Sequence, residues 1–179
     1  MEPIQTPRLR LRPLVREDLA AEHAIRSSPE VHRWLYTDAF SEDDSRERLE
    51  RLLARPEETG LTLAVERGGE LIGDVSLTVG EHRQGEIGFI LDPDHQGHGY
   101  ATEAAGAMLA LAFAHYGLHR VCGRLEARNA ASARVLEKLG MRREAHFVEN
   151  ELVKGEWQSE LVYAILAAEW RAATASRDA

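Results

Sequence analysis

The residues best suited to chemistry lie together in Asp92-Pro93-Asp94-His95-Gln96-Gly97-His98-Gly99-Tyr100-Ala101-Thr102-Glu103-Ala104. The segment falls between a strand pattern ending at Leu91 and a helix pattern opening at Tyr100. Glycines at 97 and 99 let the backbone turn sharply with successive amides facing inward, at the positive end of a helix macrodipole. Such a turn binds an anion, a pyrophosphate for example. It lacks the lysine of a nucleotide-hydrolysing phosphate loop and the third glycine of a dinucleotide fingerprint, so a different phosphate ligand is expected. His95 and His98 have no third ligand nearby and no His-Glu-x-x-His helix, so no metal is expected. Cys122, within Arg120-Val121-Cys122-Gly123, reads as a small buried hydrophobe rather than a nucleophile.

A scaffold has to hold that turn. Leu9, Leu11 and Leu14 alternate with Arg8, Arg10 and Arg12, which predicts a strand over 8–14. Helical signals cover 16–27, a short Pro29-initiated piece through Leu35, and 41–55. The last opens with Ser41 and Asp44 three residues on, and carries an apolar stripe of Leu49, Leu52 and Leu53. Strands at 61–67 and 71–79 flank Gly68-Gly69-Glu70 as a hairpin, and a third over 85–91 stops at Asp92-Pro93. A long Ala/Leu helix over 100–115 follows, then a strand at 120–126 and a helix at 130–138 ended by Gly140. Strands at 142–153 and 156–166 close the chain as a hairpin around Lys154-Gly155. This order predicts an α+β fold: a central mixed, largely antiparallel sheet of six to seven strands flanked by helices. Residues 173–179 read as frayed.

The chain has 179 residues, 44% hydrophobic and 29% charged, which suits one globular domain over 1–179. Its single cysteine allows no intramolecular disulfide, which suits a reducing, cytoplasmic setting. No apolar run approaches the roughly 20 residues that cross a bilayer, and no signal sequence opens the chain, so neither membrane nor export is expected. The net charge of -8 argues against nucleic acid and favours cationic partners.

Gln96, Gly99 and Ala101 match the pattern Gln/Arg, two residues, Gly, one residue, Gly/Ala. With them, in order, come Thr6-Pro7-Arg8-Leu9-Arg10-Leu11-Arg12-Pro13-Leu14, Glu86-Ile87-Gly88-Phe89, and Asn129-Ala130-Ala131-Ser132 through Leu136-Glu137-Lys138-Leu139-Gly140-Met141. On these segments the sequence resembles the GNAT superfamily of acyl-CoA-dependent N-acyltransferases, and within it the branch containing the RimJ/RimL ribosomal-protein N-terminal acetyltransferases. The resemblance covers nearly the whole chain. It implies the GNAT fold, with coenzyme A in a cleft between two splayed parallel strands and no metal. The pyrophosphate would rest on Gln96, Gly97, His98, Gly99, Tyr100 and Ala101, with Thr102 also on the cofactor, and the pantetheine arm would follow Phe89, Ile90 and Leu91. Relatives in that branch often dimerise, so a homodimer is admitted.

The activity implied is acyl transfer, acetyl by expectation, from coenzyme A to a peptide N-terminal α-amine or a small amine, by direct attack in a ternary complex. An amine must be neutral to attack, and Glu86 holds the family's base position; the alternative is a solvent-facing strand carboxylate. Gly88 interrupts an apolar strand and reads as a bulge whose free amide would hold the thioester oxygen. Leu136 stands where many relatives carry a tyrosine, so Ser132 becomes the candidate acid, the alternative being a polar residue in a helix's first turn. Asn129 is expected to touch pantetheine, to cap that helix, or both. Trp34, Tyr36, Phe147 and Trp157 are the candidates for the amine side. Two departures stand out: His98 where relatives often carry lysine or arginine, and Ser159 with Glu160 beside it where an aspartate is common. Rival readings are a non-catalytic acyl-CoA sensor on the same fold and a module for another nucleotide.

Overall fold

Side chains alternate between the two faces of a strand, so the apolar positions decide which face each helix covers. The computed structural model describes residues 1–37 and 41–175. In chain order its elements are β1 (Ile4–Gln5), β2 (Arg10–Pro13), α1 (Leu19–Ser27), α2 (Pro29–His32), α3 (Glu42–Leu53), β3 (Gly60–Arg67), β4 (Glu70–Val79), β5 (Gln84–Leu91), α4 (Tyr100–Ala114), β6 (Arg120–Glu126), α5 (Ala130–Lys138), β7 (Arg142–Val153), β8 (Glu156–Leu166) and α6 (Ala167–Ala175). The strands form one sheet in the order β1-β2-β3-β4-β5-β6-β8-β7. All neighbours are antiparallel except β5 and β6. The eighth strand, beyond the six to seven expected, is β1, whose two residues are too short to show a period.

The parallel pair is brief. Only Gln84↔Arg120, Gly85↔Val121 and Glu86↔Cys122 are in register, although β5 continues to Leu91 and β6 to Glu126. Beyond Glu86 the strands part, as the family resemblance implies. On one face α4 lays Ala104, Ala105, Met108, Leu109 and Ala112 onto Val65, Ile72, Val75, Leu77, Ile87 and Val121. Each large apolar side chain so buried stabilises the fold by roughly 1.5–3 kcal/mol. On the other face Ile25, Val31 and Leu49, from the first three helices, pack on Ala64, Leu71 and Ile90.

Local signals set the helix starts. Ser41 Oγ accepts from Asp44 N–H (3.1 Å) while Asp44 Oδ2 accepts from Ser41 N–H (2.9 Å), the reciprocal cap expected of that pair. Asn129 Oδ1 accepts from Ser132 N–H (3.1 Å) at the head of α5, and Gly140 follows that helix at φ 83°. The first long strand is shorter than 8–14, because Thr6 N–H donates to Leu9 O (2.9 Å) and folds residues 6–9 into a turn. Residues 173–175 belong to α6 rather than to a frayed end, while 176–179 lie outside the described residues. Trp170 of α6 meets Phe113 with ring centroids 6.1 Å apart, and Glu169 bonds Arg142 (2.6 Å). Among the described residues no helix is long and apolar enough to cross a membrane.

Candidate active site

Gly97 (φ 80°) and Gly99 (φ 82°) both take the left-handed conformation that other residues enter at a cost. Gly99 is the N-cap of α4 and has no side chain to satisfy that helix's first amides. They are left for an outside acceptor. Gln96 Nε2 donates to Leu91 O (3.1 Å), bracing the turn against the strand before it. A second brace comes from the chain's beginning. Glu103 accepts from Thr6 Oγ1 (2.6 Å), Arg8 N–H (2.8 Å) and Arg8 Nε (2.7 Å), while Arg8 Nη1 donates to His98 O (2.9 Å). Burial pushes the Glu103 carboxyl up, but these bonds outweigh it and hold it below the usual range. Sequence reasoning read Arg8 only as a strand's outward arginine, and nothing local in the sequence links it to a residue so distant in the chain.

Behind the turn opens a cleft of about 660 Å³. Gln96, Gly97, Gly99, Tyr100, Ala101 and Thr102 line its mouth. His98 does not; its ring stacks on Tyr100 with centroids 5.6 Å apart. Phe89, Ile90 and Leu91 form one wall, and Asn129 and Ser132 the opposite one. Leu136 is buried against Gly123, where an added Cβ would sit 2.9 Å from its Cδ1. A hydrocarbon therefore fills the place where a tyrosine hydroxyl was looked for.

The expected bulge at Gly88 is absent: β4 and β5 pair without a register shift from Gly73↔Leu91 to Val79↔Gly85. Asp92 N–H donates to Ile72 O (2.9 Å) and Gly80 N–H to Gln84 O (2.8 Å). In antiparallel ladders hydrogen-bonded pairs alternate, which puts Ser76↔Gly88 among them and turns the Gly88 amide toward β4. By the same alternation Phe89 N–H points the other way, into the gap that β6 has left. The outward amide exists, one residue further on.

One face of the sheet around the fork is polar. It carries Ser76 and Thr78 of β4, Glu86 of β5, and Cys122, Arg124 and Glu126 of β6. Glu86 sits at the last β5–β6 pair, where the strands part, just outside the cleft's lining. Its Oε2 is 3.5 Å from Arg124 Nε, and Arg124 Nη1 donates to Glu160 Oε1 (2.8 Å). Burial raises the Glu86 proton affinity, Arg124 opposes that, and Glu160 adds to it. Cys122 faces this side half-buried rather than in the core, its thiol pushed up by burial and then by Glu86. Trp34 and Tyr36 line the cleft. Burial and the carboxylates of Glu160, Glu126, Glu151 and Glu86 push the Tyr36 phenol up to about 12. Phe147 (47% exposed) and Trp157 (61% exposed) stand on the β7–β8 hairpin outside the lining, contrary to their expected place. Glu160, which the sequence marked only as a neighbour of Ser159, belongs to the site through Arg124.

Beneath the first three helices the cleft rests on a buried charge quartet. Arg26 bonds Glu22 (3.2 Å) and Asp74, while Arg48 bonds Glu22 (2.7 Å) and lies 3.6 Å from Asp74. Two charges of each sign compensate one another, as burial requires. Among the described residues no group of three or more His, Cys, Asp or Glu is placed to hold a metal ion.

Comparison with known proteins agrees with this architecture. A family profile described as an acetyltransferase (GNAT) domain matches residues 8–142. The uncharacterized N-acetyltransferase YnaD of Bacillus subtilis is 33% identical over 169 residues, 93% of this chain and 98% of that protein. A GNAT-family acetyltransferase structure from Bacillus anthracis superposes with a TM-score of 0.85 at 32% identity, covering 94% of this chain and 100% of its own. The structure of spermidine N-acetyltransferase from Vibrio cholerae in complex with CoA and spermine gives a TM-score of 0.82 at 25% identity, covering 93% and 99%.

Proposed function

The chain belongs to the GNAT family of N-acetyltransferases, and from that premise we propose that it moves an acetyl group from acetyl-CoA to a primary amine bound on the polar face of the sheet. The observation that carries this reading is the turn from Gln96 to Thr102, its glycines left-handed and its helix uncapped, at the mouth of a cleft where two parallel strands part. Orphan amides at a helix head suit a diphosphate, and a narrow gap walled by Phe89, Ile90 and Leu91 suits the pantetheine arm. The RimJ/RimL-like branch is part of the proposal, supported by the order of the motifs. So is the work of residues 1–179 as one domain.

Acetyl-CoA supplies an activated acyl group and a leaving thiolate. In this reading Glu86 accepts the proton of the incoming ammonium, and burial, which raises its proton affinity, makes it a better acceptor than an ordinary glutamate. Phe89 N–H, directed into the gap, holds the oxygen on which negative charge develops. The proton that the amine nitrogen sheds as the amide forms passes through the Ser132 hydroxyl to the departing sulfur, so Ser132 ends as it began, and the thiolate's need is modest because thiols titrate near ~8.5. Asn129 does double duty, capping α5 and facing the cofactor. Glu86 and Glu160 share Arg124, and Glu126 is held by Arg128, so the surroundings of Tyr36 stay net negative and favour a cationic amine on that side. This accords with the amine spermidine named for relatives at 26% identity.

A free-thiol assay with acetyl-CoA against peptides with free N-termini, polyamines and amino acids tests the proposal. Acetyl transfer to at least one class, with coenzyme A binding detected by calorimetry, is the expected result. Coenzyme A binding without turnover over the whole panel would leave a sensor in place of an enzyme.

A further inference from the structure

The amine end of the cleft opens past Tyr36 into a side pocket of about 450 Å³. Its lining includes Arg26, Tyr36, Arg48, Arg51 and Arg55, and no carboxylate among the described residues. Arg48, Arg51 and Arg55 follow one another at three and four residues along α3 and the turn that continues it, so they share a face. Their roles differ. Arg26 and Arg48 are matched by Glu22 and Asp74, as described above. Arg55 holds the backbone carbonyl and hydroxyl of Thr59. Arg51 is exposed, and its guanidinium makes no hydrogen bond or ion pair with a described residue. A helix carboxyl terminus attracts cations in its last turn, which accounts for arginines there. It does not account for their opening onto the acceptor cleft beside a phenol.

Given the transfer reaction proposed above, on which this step rests, we propose that the side pocket binds an anionic group of the acceptor, so that the acceptor is an amine that also carries a carboxylate or a phosphate. The two flanks of Tyr36 then divide the work. Glu86, Glu126 and Glu160 meet the ammonium, and Arg51 and Arg55 meet the anion with the fork geometry that guanidinium offers both oxyanions. A polyamine would satisfy the first flank and leave the second without a counterion.

The test compares matched acceptors in the acetyl-CoA thiol assay: alanine against alaninamide, and phosphoethanolamine against ethanolamine. The expected result is a preference of roughly ten-fold or more in kcat/KM for at least one acid over its neutral partner, the size of one charged hydrogen bond. The responding pair says whether carboxylate or phosphate is the natural group. In Arg51→Gln that preference collapses through KM, and in Arg51→Lys it is largely kept. Equal use of both members of each pair, or a preference indifferent to Arg51→Gln, overturns the proposal. Should none of the four be acetylated, the peptides and polyamines of the wider panel decide the transferase reading, which fails only when they too are left unmodified. Calorimetry of phosphoethanolamine, alanine and their neutral partners into wild type and Arg51→Gln still decides the pocket: binding confined to an anionic member and lost in the variant sustains it, and no such binding overturns it.

Discussion

Glu86 occupies the point where the two parallel strands stop pairing, so its carboxyl is shared between protein and solvent. Burial lifts its proton affinity above that of an ordinary glutamate, partly offset by Arg124. The base form is the ionised one, so kcat/KM falls as pH drops through that raised value, and the acidic limb lies above the usual carboxylate range. Glu86→Gln is expected to lower kcat about 100-fold or more and to flatten that limb. Arg124→Gln removes the opposing charge and moves the limb to still higher pH. A pH–rate profile reads both, and an unmoved limb in Glu86→Gln removes the base assignment. At this scale the sequence was legible where one residue does one local job. Asn129 as a cap and Ser132 beside it follow from side-chain length and helix geometry. Glu160 was not legible, because its part depends on Arg124 reaching across from the neighbouring strand.

Among the elements, the strap from Thr6 to Arg8 over the head of α4 is the one with a testable mechanical role. Three hydrogen bonds converge on Glu103, next to the turn proposed to hold the diphosphate. Glu103→Gln keeps the shape and removes the charge, and is expected to weaken coenzyme A binding by roughly two- to ten-fold, the range for one or two modest hydrogen bonds. Calorimetry with coenzyme A checks it, and an unchanged dissociation constant would separate the strap from the turn. Because the Glu103 carboxyl is held below its usual range, the strap persists at neutral pH and is lost only as pH falls through that depressed value. Helices with a cap and a stripe, such as α3 and α5, could be placed from sequence alone. The helix α6 could not: Ala-Ala-Glu-Trp-Arg-Ala-Ala-Thr-Ala has no clean apolar stripe and follows a buried strand without a break. Gly88 misled for a related reason. A glycine in a strand signals either a bulge or a close neighbour, and here it is the neighbour, Ser76 Oγ, 2.9 Å from where a Cβ would be.

For the molecule as a whole, the buried quartet ties the first three helices to the centre of the sheet. Asp74→Asn leaves two guanidiniums facing one carboxylate and is expected to cost roughly 3 kcal/mol of stability, measurable by urea denaturation. A loss within experimental error would mean that water already reaches those charges. Fold class and the succession of elements along the chain were legible because period-two and period-three-to-four patterns report burial directly, whereas the sheet order, with β8 between β6 and β7, was not. The pocket that gathers arginines beside Tyr36 was not legible either, since arginines on α3 read in sequence as an ordinary solvated helix face. The fork between β5 and β6 has a consequence for how the fold holds together. Five strands on one side and three on the other are stitched by three residue pairs, with α4 and α5 bridging the rest. Whatever fills the gap supplies the missing rungs of the ladder, so occupancy and rigidity rise together. The seam proposed to admit the cofactor is where the unliganded protein is expected to yield first under heat or denaturant, with hydrogen exchange along β5 and β6 as the measurement.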